Sequence, residues 1–183
     1  MATNDDAVLI PGTGELWIAA AETAMPADPT APADPWENLG HTSREDGLTI
    51  TRDGGDTEPI GTWQNPTLRV TREPTSYAIT AFLHQVDNNV LEMYFGPGDV
   101  TVAGQFGVTS AINAIQRALY VRIIDGDNEA GLYVPKVEIS SEDDMEVDVE
   151  GFLAFPVRMT VLQVTGSNLL TWIGPELGAE ASS

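Results

Sequence analysis

Short runs in which apolar and polar residues alternate recur along this chain between glycine- and proline-rich breaks, the pattern of half-buried β-strands joined by turns. Over residues 76–85 one side carries Tyr77, Ile79, Ala81 and Leu83. Leu119, Val121 and Ile123 repeat the alternation, as do Leu48 and Ile50 against Thr49 and Thr51, and residues 68–72 after the break RDGGDTEP. Residues 14–22 fit a strand or a short helix, and their tight bracketing by glycine and proline favours the strand. Residues 134–139, 145–150 and 152–164 make the C-terminal part strand-rich, and the whole pattern predicts about eight or nine strands. Only one segment reads clearly as helix. Asp87 can cap it, Val90/Tyr94 and Leu91/Phe95 stand four apart, and Gly96 and Pro97 close it. Residues 109–119 fit a helical stripe (Ile112, Ile115, Leu119) as well as a strand.

The resulting expectation is a mainly β single domain over residues 1–183, sandwich- or barrel-like, with one short flanking α-helix. Four prolines in residues 25–35 (MPADPTAPADP) mark an extended connection, so that residues 1–35 form an N-terminal arm. The small, polar residues 175–183 are expected to be a mobile tail.

Charge narrows the function classes. Eight basic residues against 28 acidic ones leave a formal charge of −20. An apolar fraction of 42% still suffices to fold, so the acidity does not signal disorder. Such a charge opposes duplex binding, which relies on lysine and arginine displacing counterions, and opposes adhesion to anionic lipid. The absence of cysteine removes disulfides and thiolate zinc sites and suits a reducing compartment. The acidic N-terminus lacks the basic start of a secretory signal. The longest apolar stretch, residues 151–164, contains Pro156, Arg158 and Gln163 and falls short of the roughly 20 apolar residues of a membrane helix.

Candidate chemistry is thin. DGDNEAG, starting at Asp125, has acids at alternate positions, but Ala130 stands where a calcium loop needs glycine and Lys136 where it needs a bidentate glutamate, so it reads as a hairpin turn. Only His41 and His84 could serve a triad, and no G-x-S-x-G elbow is present. His84, near Asp87, suits a surface or helix-end position better than a general base. PGTG at Pro11 lacks the context of a phosphate loop. A paired-carboxylate hydrolase has only the abundance of acids behind it. A carbohydrate-binding β-sandwich, the alternative from another class, needs a plane of aromatics that Trp17, Trp36, Trp63 and Trp172 do not lay out by spacing. No catalytic, cofactor or metal site is therefore expected. In EDDMEVDVE, Met145, Val147 and Val149 alternate with Glu146, Asp148 and Glu150, which suggests an acidic strand face or a charged edge that blocks aggregation.

PWENLGHTSREDGLTI (residues 35–50), following a proline-bearing arm, resembles the N-terminal region of major tail tube proteins of long-tailed actinobacterial phages. The order of later segments is similar too: the strand over residues 77–85, DNNVLEMYFG, RALYVRIID, LYVPKVEI and FLAFPVRMTVL. The resemblance covers most of the chain, although no single motif is diagnostic. It implies a fold shared with the type VI secretion tube protein, six copies per ring, and rings stacked into a tube through which DNA passes without specific binding. The implied partners are further copies, a tape measure protein and tail terminator and initiator proteins. The implied location is the virion tail, assembled in the host cytoplasm. Six copies at −20 would carry about −120 per ring, a charge suited to a lumen that must not hold DNA. Within this frame the hairpin of residues 52–65 (Arg52, Asp53, Asp56, Glu58, Ile60, Trp63) is expected to reach the next ring, with Trp63 as its apolar anchor, and Glu146, Asp148 and Glu150 to add to a DNA-repelling face.

Overall fold

The computed structural model describes residues 8–110, 114–145, 147, 149, 151–174 and 177. In chain order the elements are β1 (Thr13–Ala20), β2 (Glu37–Asn38), β3 (Leu48–Gly54), β4 (Thr57–Ile60), β5 (Arg69–Arg72), β6 (Thr75–Leu83), α1 (Asn88–Phe95), β7 (Ile115–Asp125), β8 (Asn128–Ser141), β9 (Phe155–Val161) and β10 (Thr171–Ile173). The main sheet runs β2-β1-β7-β8-β9-β6-β3, with β10 also on β8, and every pair is antiparallel. Fourteen-residue β8 pairs β9 through Val137–Ser141 and β10 through Gly131–Tyr133. Two partners thus share one long strand, and a register shift between Arg117 and Leu119 adds a bulge on its other side. The protein is mainly β, with one helix among the described residues, in keeping with a β-sandwich-like architecture.

Alternation in the strands sets two packed faces. Ile79, Ala81 and Leu83 of β6 are buried as the pattern predicts, with Tyr77 packed at the margin. They join Leu119 and Val121 of β7, Leu132 and Val134 of β8, and Phe155, Val157 and Met159 of β9 in one cluster. Burying each such side chain contributes about 1.5–3 kcal/mol. Helix α1 closes this face with Val90 and Met93, and Tyr94 meets Phe155 edge-on at 5.7 Å. The expected cap is present: the Asp87 carboxylate accepts from the Val90 amide at 2.9 Å, and Gly96 closes the helix at φ 86°.

The opposite face carries Tyr120 and Tyr133, the residues between the inward-facing Leu119/Val121 and Leu132/Val134. Trp36 lies edge-on to both rings, each 6.2 Å away, and is 5% exposed. The proline-rich connection is strapped across this face. The Tyr120 hydroxyl donates to the Pro29 carbonyl at 2.9 Å, the Tyr133 hydroxyl to that of Thr23 at 2.6 Å, and the Trp36 indole to that of Ala24 at 3.3 Å. Gly131 makes this possible, because a Cβ there would collide with the Tyr120 hydroxyl.

Two expectations change. Residues 145, 147 and 149 belong to no strand; they sit in the connection between antiparallel neighbours β8 and β9, beyond the last ladder position, and Val147 and Val149 are exposed. Glu146, Asp148, Glu150 and Ile112 lie outside the described residues. The break expected from RDGGDTEP contains the end of β3 and the start of β4, because pairing with the return strand overrides its turn-like composition. Asp125–Asn128, by contrast, is the hairpin turn expected, with Gly126 at φ 60°.

Candidate functional site

The most unusual feature grows from the edge of the sheet. β3 pairs β6 from Leu48↔Ala81 to Gly54↔Thr75, and β4 pairs β5 from Thr57↔Arg72 to Ile60↔Arg69, all in one continuous register. Residues 48–83 therefore form a single long hairpin rather than the shorter one expected at 52–65. The ladder falters only where Gly55 stands across from Pro74, which has no N–H to donate. Gly54 and Gly55 adopt positive φ there, 76° and 84°, and a Cβ on Gly54 would run into the Pro74 carbonyl. Pairing resumes with the Glu73 amide donating to the Asp56 carbonyl at 3.0 Å. At the tip, Thr62 and Asn65 exchange both backbone bonds (2.7 and 3.2 Å) around the two-residue turn Trp63–Gln64.

Every residue from 56 to 74 is exposed, so the ribbon beyond Gly54 stands clear of the body by about eight residues, on the order of 26 Å. Trp63, at its end, is 102% exposed. Arg52 and Asp53 lie on β3, Asp56 at the break, and Glu58 and Ile60 on β4. The structure brings them together along one ribbon and adds residues that a hairpin ending at 65 leaves out: Leu68, Arg69, Val70 and Arg72 on the return strand. Ile60, Leu68 and Val70 are each more than half exposed. The alternation over residues 68–72 already marked a strand; what it did not reveal was the partner, β4, that carries it outward.

The cations divide sharply. On the body, Arg117 pairs with Glu92, Lys136 with Glu22, and Arg158 with Glu142 and, at 3.7 Å, with Asp53 at the arm's stem. Arg122 is gripped by Glu129 through two bonds (2.9 and 2.7 Å) and by Glu15 at 3.3 Å, a bridge across β1, β7 and β8. Arg52, Arg69 and Arg72 on the arm, and Arg44, have no such carboxylate partner among the described residues. His84 is held structurally, its Nδ1 2.9 Å from the Leu153 carbonyl and its ring 5.7 Å from Phe152.

The bridge across β1, β7 and β8 gives a pH dependence. Hydrogen bonds from Arg122 hold the Glu129 carboxyl below its ordinary value of 4.5, and the two carboxylates raise the guanidinium's own pKa. A depressed carboxylate contributes stability in full above pH 4.5 and loses it as pH falls through the folded-state pKa. The expected result is a melting temperature of the wild type that declines below about pH 4.5, with a shallower decline in Glu129→Gln. Parallel declines in the two proteins would exclude Glu129 as a contributor.

Among the described residues no group of three or more histidine or acidic side chains is arranged to hold a metal ion, and no helix is long and apolar enough to cross a membrane. What the surface offers is a solvent-exposed ribbon with apolar side chains and free guanidinium groups, on a mainly β body with open sheet edges: the features of an assembling structural subunit. Over residues 1–183 the chain matches the model of the phage tail tube protein family, and it belongs to that family. It is 35% identical over 191 aligned positions to the major tail protein Gp23 of Mycobacterium phage D29, with 97% of this chain and 96% of that protein covered. Identity and coverage are the same for the major tail protein Gp23 of Mycobacterium phage L5. Its role is structural, as a tail tube protein of the phage virion tail.

Proposed function

We propose that six copies close into a ring, that rings stack through the arm into a tube, and that DNA passes along an acidic lumen without being bound. The observation that carries this reading is the arm: residues 56–74 are all exposed, yet they include Ile60, Trp63, Leu68 and Val70. Apolar side chains held on a long ordered ribbon gain their burial only against another molecule. The sheet edges support lateral closure. β3 is terminal at one edge, and at the other β2 covers β1 only at Trp17 and Ile18, which leaves backbone groups for a neighbouring subunit to pair.

The charge of −20 per copy opposes adhesion of DNA to the lumen wall, and Glu146, Asp148 and Glu150 add to that charge. The N-terminal residues and the segment after Gly174 supply further contacts between rings. A tape measure protein inside the tube, and terminator and initiator proteins at its ends, complete the set of partners. The family's structural role leaves no step of catalysis for the chain to perform. Negative-stain microscopy of the purified full-length protein is the direct test. Rings or tubes of uniform diameter are expected on concentration; monomers at every concentration, or clumps without a defined diameter, would count against the reading.

A further inference from the structure

The strand register defines two ends of the body. The arm leaves β3 and β6 at Gly54 and Thr75. β6 runs from there to Leu83, which pairs Phe155 at the start of β9, and β9 in turn pairs Ser141 of β8 through Val157. The described residues of the β8–β9 connection (142–145, 147, 149 and 151–154) therefore lie at the end opposite the arm, as does the segment entering β3 at Leu48. That end is apolar and acidic together. Phe152 is 87% exposed, Val147 80% and Val86 65%, while Glu45, Asp46, Asp143 and Asp144 are all exposed beside them, with Arg44 as the neighbouring cation. It is also held in place: the Tyr94 hydroxyl donates to the Asp143 carbonyl at 2.8 Å, His84 bonds the Leu153 carbonyl, and Ser43 donates to Asp46 at 2.6 Å.

The arm is the complement. Residues 55–74 carry two arginines (Arg69, Arg72) against three acids (Asp56, Glu58, Glu73), a net of −1, which leaves −19 of the chain's −20 on the rest. Its net charge is thus small for a chain of −20, and its guanidinium groups have no carboxylate partner among the described residues. We propose that the arm of one copy docks on the opposite end of the next copy, with Arg72, on the face of β5 that carries Val70, turned to Asp143 and Asp144, Arg69 reaching them from the ribbon's other face, and Trp63, Leu68 and Val70 covering Phe152 and Val147. This rests on reading the arm as the ring-to-ring contact and adds what receives it. Plug and socket lie on different surfaces of the same chain, a heterologous contact that propagates into an open filament, and opposite charge fixes the direction of stacking.

Charge reversal separates the two layers of the argument. Arg69→Glu/Arg72→Glu is expected to lower the sedimentable tube fraction at least tenfold with an unchanged circular dichroism spectrum. Asp143→Lys/Asp144→Lys is expected to do the same, and the quadruple variant to restore tubes. Wild-type assembly by the arginine double variant would overturn this socket and leave the arm to the Trp63→Ala test; loss in that variant without rescue in the quadruple would leave the arm as contact and overturn this socket. The cysteine-free chain permits a second measurement that does not depend on complete tubes. Oxidised Arg72→Cys/Asp144→Cys is expected to give a ladder of trimers and longer species, whereas Arg72→Cys/Asp127→Cys, whose second thiol lies at the arm's own end, stays at dimers or below. The reverse pattern, or no ladder from either, overturns the socket.

Discussion

Trp63→Ala is expected to leave the subunit folded and to shift it from tubes towards single rings or monomers. Trp63 occupies the first position of a two-residue turn, 102% exposed at the far end of a ribbon that touches no core residue. Truncation removes nothing from either hydrophobic cluster. Burying a tryptophan at the centre of an interface contributes roughly 2–4 kcal/mol, so its loss weakens each contact by at least about 30-fold. Because every ring repeats the contact, the assembly responds more steeply than any one pair. The two readouts are thermal melting of the dilute subunit and sedimentation of the concentrated protein. A melting point lower by several degrees would place Trp63 in the subunit's own packing, and tubes of normal length from a folded variant would assign stacking to other residues.

The second large effect comes from the other side of the molecule and has the opposite signature. Trp36→Ala should destabilise the subunit by about 3–5 kcal/mol, the usual cost of truncating a buried aromatic residue. Its ring is 5% exposed between Tyr120 and Tyr133, and with it goes the indole bond to Ala24. A drop in melting temperature on the order of ten degrees follows for a chain of this size. Release of the strap should also make residues 23–35 more accessible to proteases, because the Pro29 and Thr23 carbonyls bonded to the two tyrosines lose their fixed positions. An unchanged melting point would mean that the strap adds nothing to stability.

Local rules explain what was legible in advance. A two-residue period assigns side chains to faces wherever a strand forms, so Ile79, Ala81 and Leu83 could be placed in the core without knowing their neighbours. The helix was equally local: Asp87 reaches the amide three residues on, and glycine closes the last turn. The acidic balance that argues against DNA binding is a property of composition alone. The hairpin and its tryptophan were visible as well, but not its length, because β4 reads as a turn-rich break until β5 pairs with it.

What only the tertiary structure decided concerns which segments return to the sheet and which leave it. Trp36 and Trp63 sit in similar surroundings, PWEN and TWQN, yet one is walled in by two tyrosines and the other stands at the tip of a ribbon. The alternating run from Met145 to Val149 had the period of a strand, but antiparallel β8 and β9 needed those residues for their connection, so the period had no ladder to join. The placement of the arm and of the proposed socket at opposite ends follows from a chain of three registers linking residue 54 to residue 157. Faces, caps and net charge are set by residues a few positions apart, and the sequence by itself determined them. Register, projection and the polarity of the subunit depend on contacts between residues far apart in the chain, and only folding brought those together.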